Sequence, residues 1–153
     1  MKQSITGFGG FFFRAKDPTA LAQWYQEHLG IDQVPEDYDT QPWSQEAGPT
    51  AFAPFPADSD YFGDAQKNWM LNFRVRDLNA IVAQLGKANI PVKIVPEVYP
   101  NGRFARLHDP EGNPIELWEP KASSKPQASS FRKASRTKSR KPGRSAQRRK
   151  RGK

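Results

Sequence analysis

The chain has 153 residues, with 24 Lys and Arg against 16 Asp and Glu, and no cysteine. The missing thiols exclude disulfides, zinc–thiolate centres and cysteine nucleophiles together. The net charge of +8 is unevenly spread: residues 1–120 hold all sixteen acids and ten Lys and Arg, net −6, whereas residues 121–153 hold fourteen Lys and Arg and no acid, net +14.

In chain order, the N-terminus offers one lysine and an apolar run of only Phe11 to Phe13, too short for a signal peptide or a membrane span. The expectation is a soluble, cytoplasmic protein. A first strand is predicted over 8–16. Asp17 then suits an N-cap and Pro18 the first helical position, where a missing N–H costs nothing. Leu21, Trp24, Tyr25, His28 and Leu29 follow at helical spacing, and Gly30 closes the helix. Residues 31–50 are rich in Pro, Asp and Gln, so strands there should be short or irregular; 50–55 alternates enough for a strand, with Pro54 implying an edge or a bend. Residues 69–76 alternate as a strand, and Asp77 caps a helix carrying Ile81, Val82, Leu85 and Ala88. A strand over 92–99, the Asn101-Gly102 turn, a return over 103–108, a turn at 109–113 and a last strand over 114–118 complete the domain.

Phe13-Arg14-Ala15-Lys16-Asp17-Pro18-Thr19-Ala20-Leu21 recurs as Phe73-Arg74-Val75-Arg76-Asp77-Leu78-Asn79-Ala80-Ile81, with four of nine residues identical. One strand–helix unit occurring twice indicates a duplicated β-α-β-β-β module, at about 5–65 and 66–120, and like modules create a cleft between them. Alternation assigns faces. Leu71, Phe73, Val75, Phe11, Phe13, Ala15, Ile115 and Leu117 should pack on the helices. Gly10, Phe12, Arg14, Met70, Asn72, Arg74, Glu116 and Trp118 then line a second face, either a pocket or an ordinary sheet face covered by loops or a partner subunit.

Two segments, Phe12-Phe13-Arg14-Ala15-Lys16-Asp17 followed by Trp24-Tyr25-Gln26-Glu27-His28-Leu29-Gly30-Ile31, and Asp109-Pro110-Glu111-Gly112-Asn113-Pro114-Ile115-Glu116-Leu117-Trp118-Glu119-Pro120, together resemble the vicinal oxygen chelate superfamily of glyoxalase I, bleomycin-resistance proteins and extradiol dioxygenases. The resemblance covers about residues 5–120. It implies an α+β fold of paired βαβββ modules and a ligand site between them, often in a homodimer. It also implies four metal-ligand positions, which fall here on Gly10, Met70, Glu116 and a place near Phe52. Only Glu116 of these suits a hard divalent cation, so no metal cofactor is expected. His28 and His108 belong to no shared motif. The acidic run from Asp58 to Asp64 has Phe62 and Trp69 where a calcium loop needs ligands, and Gly7-Phe8-Gly9-Gly10 precedes a strand rather than a helix.

The expected function is therefore binding of a small organic molecule, with Phe12, Arg14, Phe52, Met70, Asn72, Arg74 and Trp118 as binding candidates. Glu116 is either a remnant paired with Arg74 or Arg14, or the general base of a lyase, isomerase or dioxygenase-like enzyme. Aromatic residues without helical period in 31–68 (Tyr38, Trp43, Phe52, Phe55, Tyr61, Phe62) fit a dimer interface or a roof over the pocket. The tail, with Phe131 its one large apolar residue, should be disordered. Its cations, ending in Arg148, Arg149, Lys150 and Arg151, either attract nucleic acid or another polyanion, solubilise the chain, or fold back on the acidic domain.

Overall fold

The computed structural model describes residues 3–121. The tail, with its disorder expectation and the nucleic-acid candidates Arg148, Arg149, Lys150 and Arg151, lies outside the described residues. Within them, helix α1 (Pro18–Leu29) precedes β1 (Leu71–Arg74), α2 (Leu78–Lys87), β2 (Lys93–Ile94), β3 (Gly102–His108) and β4 (Pro114–Pro120). The α+β class expected from the sequence holds.

Both helices start as the repeated aspartates predict. The Asp17 side chain accepts from Ala20 N at 3.0 Å and that of Asp77 from Ala80 N at 2.9 Å, each satisfying one of the amides a helix leaves open at its first turn. Pro18 occupies the start of α1, and Gly30 ends it in the left-handed region at φ 68°.

The four strands form one sheet in the order β1-β4-β3-β2, with β1 parallel to β4 and the other neighbours antiparallel. Leu21, Tyr25, Leu78, Leu85, Ala105, Leu107, Ile115 and Leu117 are buried together, and Phe13, Ala15, Leu71, Phe73 and Val75 pack against them. Seven of the eight side chains that strand alternation assigned to the helix side are in this group; Phe11, the eighth, lies outside it and is 38% exposed.

The second module has the expected β-α-β-β-β order, but β2 is only two residues long where 92–99 was expected. Pro91 and Pro96 flank it, and neither can donate to a ladder. The first module departs further. Neither 8–16 nor 50–55 forms a strand, so among the described residues one four-stranded sheet is present and the first module contributes a helix and irregular segments. Gly9 and Gly10 weaken the first segment, and Pro54 interrupts the second, which Pro49 and Pro56 flank. The first segment still keeps its apolar alternation. Phe11, Phe13 and Trp69 form a ring cluster with centroids 5.0–5.6 Å apart.

The turn at 109–113 joins the two halves. Glu111 accepts from the amides of Lys16 and Asp17 at 2.9 Å, placing a carboxylate at the positive end of α1. Buried Asp109 accepts from the Tyr25 hydroxyl at 2.9 Å, from the Asn113 amide and from Asn113 Nδ2 at 2.8 Å. Burial first, and then the Asp109 charge, push the Tyr25 hydroxyl far above its ordinary titration range.

Candidate functional site

The second face of the sheet is organised around Glu116. Antiparallel register sets Arg106 of β3 opposite Glu116, and parallel register sets Asn72 of β1 on its other side. Residues in register share a face, so a carboxylate, a guanidinium and an amide meet at one level of the sheet. A fourth group arrives from the loop before β1. The backbone turns Ser59 N to Pro56 O and Gly63 N to Asp60 O fold that loop back and bring Tyr61 onto the sheet.

Glu116 is only 4% exposed and would be costly to bury alone. Its Oε1 accepts from Asn72 Nδ2 at 2.8 Å; its Oε2 accepts from the Tyr61 hydroxyl at 2.9 Å and from Arg106 Nε at 3.3 Å. Arg106 also donates through Nη1 to the Tyr61 carbonyl at 3.1 Å and stacks over the Tyr61 ring, 4.2 Å from its centroid. Phe55 stacks on Tyr61, with ring centroids 4.8 Å apart and planes 26° from parallel. Burial, followed by the hydrogen bond to Glu116, raises the Tyr61 titration above the ordinary phenol range, which keeps the hydroxyl protonated and donating.

Beside this network opens a cleft of about 230 Å³, lined by Tyr61, Val95, Tyr99, Asn101, Phe104, Arg106 and Glu116. Its rim is fixed by Trp118, which donates from Nε1 to the Asn101 carbonyl at 3.0 Å and lies parallel to Phe104. A larger hollow of about 310 Å³ lies within the loop at 55–68. No residue of the Glu116 network lines it, and the smaller cleft is where buried charge and aromatic walls converge.

The structure gathers some of the sequence candidates and disperses others. Asn72 touches Glu116, and Trp118 supports the cleft rim through Asn101. Arg74 does not pair with Glu116: it donates to the Glu46 carbonyl at 2.7 Å and lies against Gly48, while Arg76 pairs with the Glu46 carboxylate. Arg14 is exposed and makes no side-chain hydrogen bond among the described residues. Phe12 and Phe52 are 92% and 85% exposed and do not line the cleft. Met70 is half-buried and does not line it either. The partner of Glu116 is Arg106, which sequence reasoning passed over, and Tyr61 was weighed only as a loop aromatic. A signal for Arg106 was present: a five-residue turn at 109–113 pairs His108 with Pro114 and hence Arg106 with Glu116.

The donor set does not fit a divalent cation. Both Glu116 oxygens are engaged by donors, one of them a cation, and Gly10, Met70 and Phe52 place no hard ligand beside it. Among the described residues no three His, Asp or Glu side chains come together in a metal-ligating group. His28 lies on α1 against Trp24, with Glu27 4.0 Å away.

A family model for the glyoxalase-like domain matches residues 10–118. Among solved structures, TnmS3, an antibiotic-binding protein from Streptomyces sp. CB03234, aligns with a TM-score of 0.53 at 23% identity, covering 78% of this chain and 100% of that one. A glyoxylase/bleomycin resistance protein/dioxygenase domain from Frankia sp. EAN1pec aligns with a TM-score of 0.48 at 18% identity, covering 77% and 100%. No curated protein matches the sequence.

Proposed function

Because the chain belongs to the glyoxalase-like domain family, we propose that it binds a small organic molecule in the cleft beside Glu116, between the Tyr61 loop and the sheet, without a catalytic metal. One observation carries this reading: a buried carboxylate whose two oxygens are held by Asn72, Tyr61 and Arg106 forms the floor of an aromatic-walled cleft. Apolar walls with a few placed polar groups are the usual make-up of a small-molecule site. The likeness in fold to an antibiotic-binding protein is compatible with an organic ligand.

The alternative is an enzyme of the lyase, isomerase or dioxygenase-like kind using Glu116 as base. The hydrogen bonds favour binding, because a carboxylate already accepting three donors has little capacity left to take a proton from a substrate. A thermal-shift screen over a broad library of organic molecules tests the binding reading, since a ligand of the native state raises Tm by mass action. Glu116→Gln separates the two: a binding module retains much of its affinity, whereas an enzyme loses turnover of the identified ligand. If no molecule in the library shifts Tm, the binding reading fails.

A second reading concerns residues 121–153. Fourteen Lys and Arg without an acid favour association with nucleic acid or another polyanion through counterion release, separate from the small-molecule site.

A further inference from the structure

We propose that the cleft beside Glu116 selects a flat, single-ring ligand bearing an uncharged carbonyl acceptor, which Arg106 receives. This rests on the binding reading above and names its ligand class.

Size is the first constraint. A cavity of about 150 Å³ holds benzene, so a cleft of about 230 Å³ takes one substituted ring and little more. Shape is the second. Tyr61, Tyr99 and Phe104 supply ring surfaces and Val95 an aliphatic one, so the walls suit a planar apolar body. Tyr99 and Phe104 are already arranged edge to face, 5.7 Å between centroids.

Polarity is the third constraint and the most selective. Both oxygens of Glu116 are taken, so the cleft floor offers a ligand little acceptor capacity. Arg106 spends Nε on Glu116 and Nη1 on the Tyr61 carbonyl, and its Nη2 has no partner among the described residues. With the side chain 34% exposed, a donor is presented at the cleft. A ligand oxygen accepting from it gains a charge-assisted hydrogen bond. Charge then separates neutral from anionic acceptors. Arg106 and Glu116 neutralise each other, so a carboxylate ligand would leave the cleft with an uncompensated negative charge beside a buried carboxylate. Residues 1–120 carry a net −6, which opposes anion approach as well. A cationic ligand would meet the Arg106 guanidinium, and the Glu116 carboxylate that could offset its charge is already paired with that guanidinium.

The test uses three probes of one shape on the full chain: acetophenone, benzoate and protonated 1-phenylethylamine, titrated by ligand-observed NMR. Acetophenone should bind with a Kd at least about fivefold lower than either charged probe, the scale of one modest hydrogen bond. Val95→Trp fills the cleft while leaving both members of the ion pair in the sequence, and should remove acetophenone binding. Arg106→Lys keeps the charge but loses the planar fork, and should reduce the preference for acetophenone while leaving a folded, cooperative melting transition. Equal or tighter binding of benzoate or of the ammonium probe would overturn the proposed selectivity, yet leave small-molecule binding standing. Acetophenone binding that survives Val95→Trp, or no binding of any probe at millimolar concentration, would overturn this ligand class; an empty thermal-shift library would overturn small-molecule binding itself.

Discussion

At the scale of residues, the Glu116 network is a buried charge held by three donors from three parts of the chain. Removing one donor should cost more than the bond is worth, because the carboxylate stays behind partly desolvated. Tyr61→Phe should lower stability by about 1–2 kcal/mol in urea titrations, whereas a change within ±0.5 kcal/mol would mean the hydroxyl is dispensable. Tyr25 supplies a pH dependence. Its folded titration lies above its ordinary value of 10.0, so the folded state holds the proton more tightly than the unfolded chain does. That contribution is complete below pH 10 and is lost as pH rises further. Wild type should therefore lose urea resistance between pH 9.5 and about 11.5 more steeply than Tyr25→Phe; parallel profiles would contradict the assignment. At this scale the sequence was partly legible. Strand alternation was enough to put Asn72 and Glu116 on one face, since period two needs no tertiary knowledge. It could not say that Arg74 would turn to the Glu46 carbonyl, because that depends on where a loop twenty-eight positions away is laid down.

Among elements, the second module was the most legible because its signals were local: an aspartate cap, a helical apolar stripe and two turn motifs. The first module was read as a second copy, but its strand segments carry glycines and prolines that compete with ladder formation, and only its cap and helix repeat the pattern. Two glycines show how closely elements approach. A Cβ on Gly102, which sits at φ 138°, would fall 2.1 Å from the Glu119 carbonyl oxygen, and one on Gly48 would fall 1.5 Å from Arg74 Nη1. Gly102→Ala meets backbone at a conformation L-residues avoid, and should destabilise by about 1–3 kcal/mol. Gly48→Ala meets a flexible side-chain end and should cost less, which side-by-side chemical denaturation checks. In the core, Leu85 of α2 is fully buried. Leu85→Ala should cost about 2–5 kcal/mol, and a smaller loss would mean the helix is not packed on the sheet as described.

At the scale of the whole molecule, charge separates an acidic domain from a basic tail, and the break at Pro120 was visible in composition alone. If residues 121–153 bind polyanions by counterion release, affinity for nucleic acid should fall linearly in log salt regardless of base sequence. A chain ending at Pro120 should lose that affinity and keep its Tm; unchanged binding by the shortened chain would refute the assignment. Of the 31–68 aromatics expected at a dimer interface, Phe55, Tyr61 and Phe62 pack on one another whereas Tyr38 and Phe52 are exposed; a homodimer is proposed on the exposed pair, and light scattering at a monomer mass across micromolar concentrations would remove it. The central claim, metal-independent binding beside Glu116, is tested most directly by calorimetric titration of a thermal-shift hit into chelator-treated wild type and into Val95→Trp. The account predicts unchanged affinity after chelation and loss of affinity in the filled cleft. Binding that vanishes with chelator and returns with a divalent metal, or that persists with the cleft filled, would contradict it.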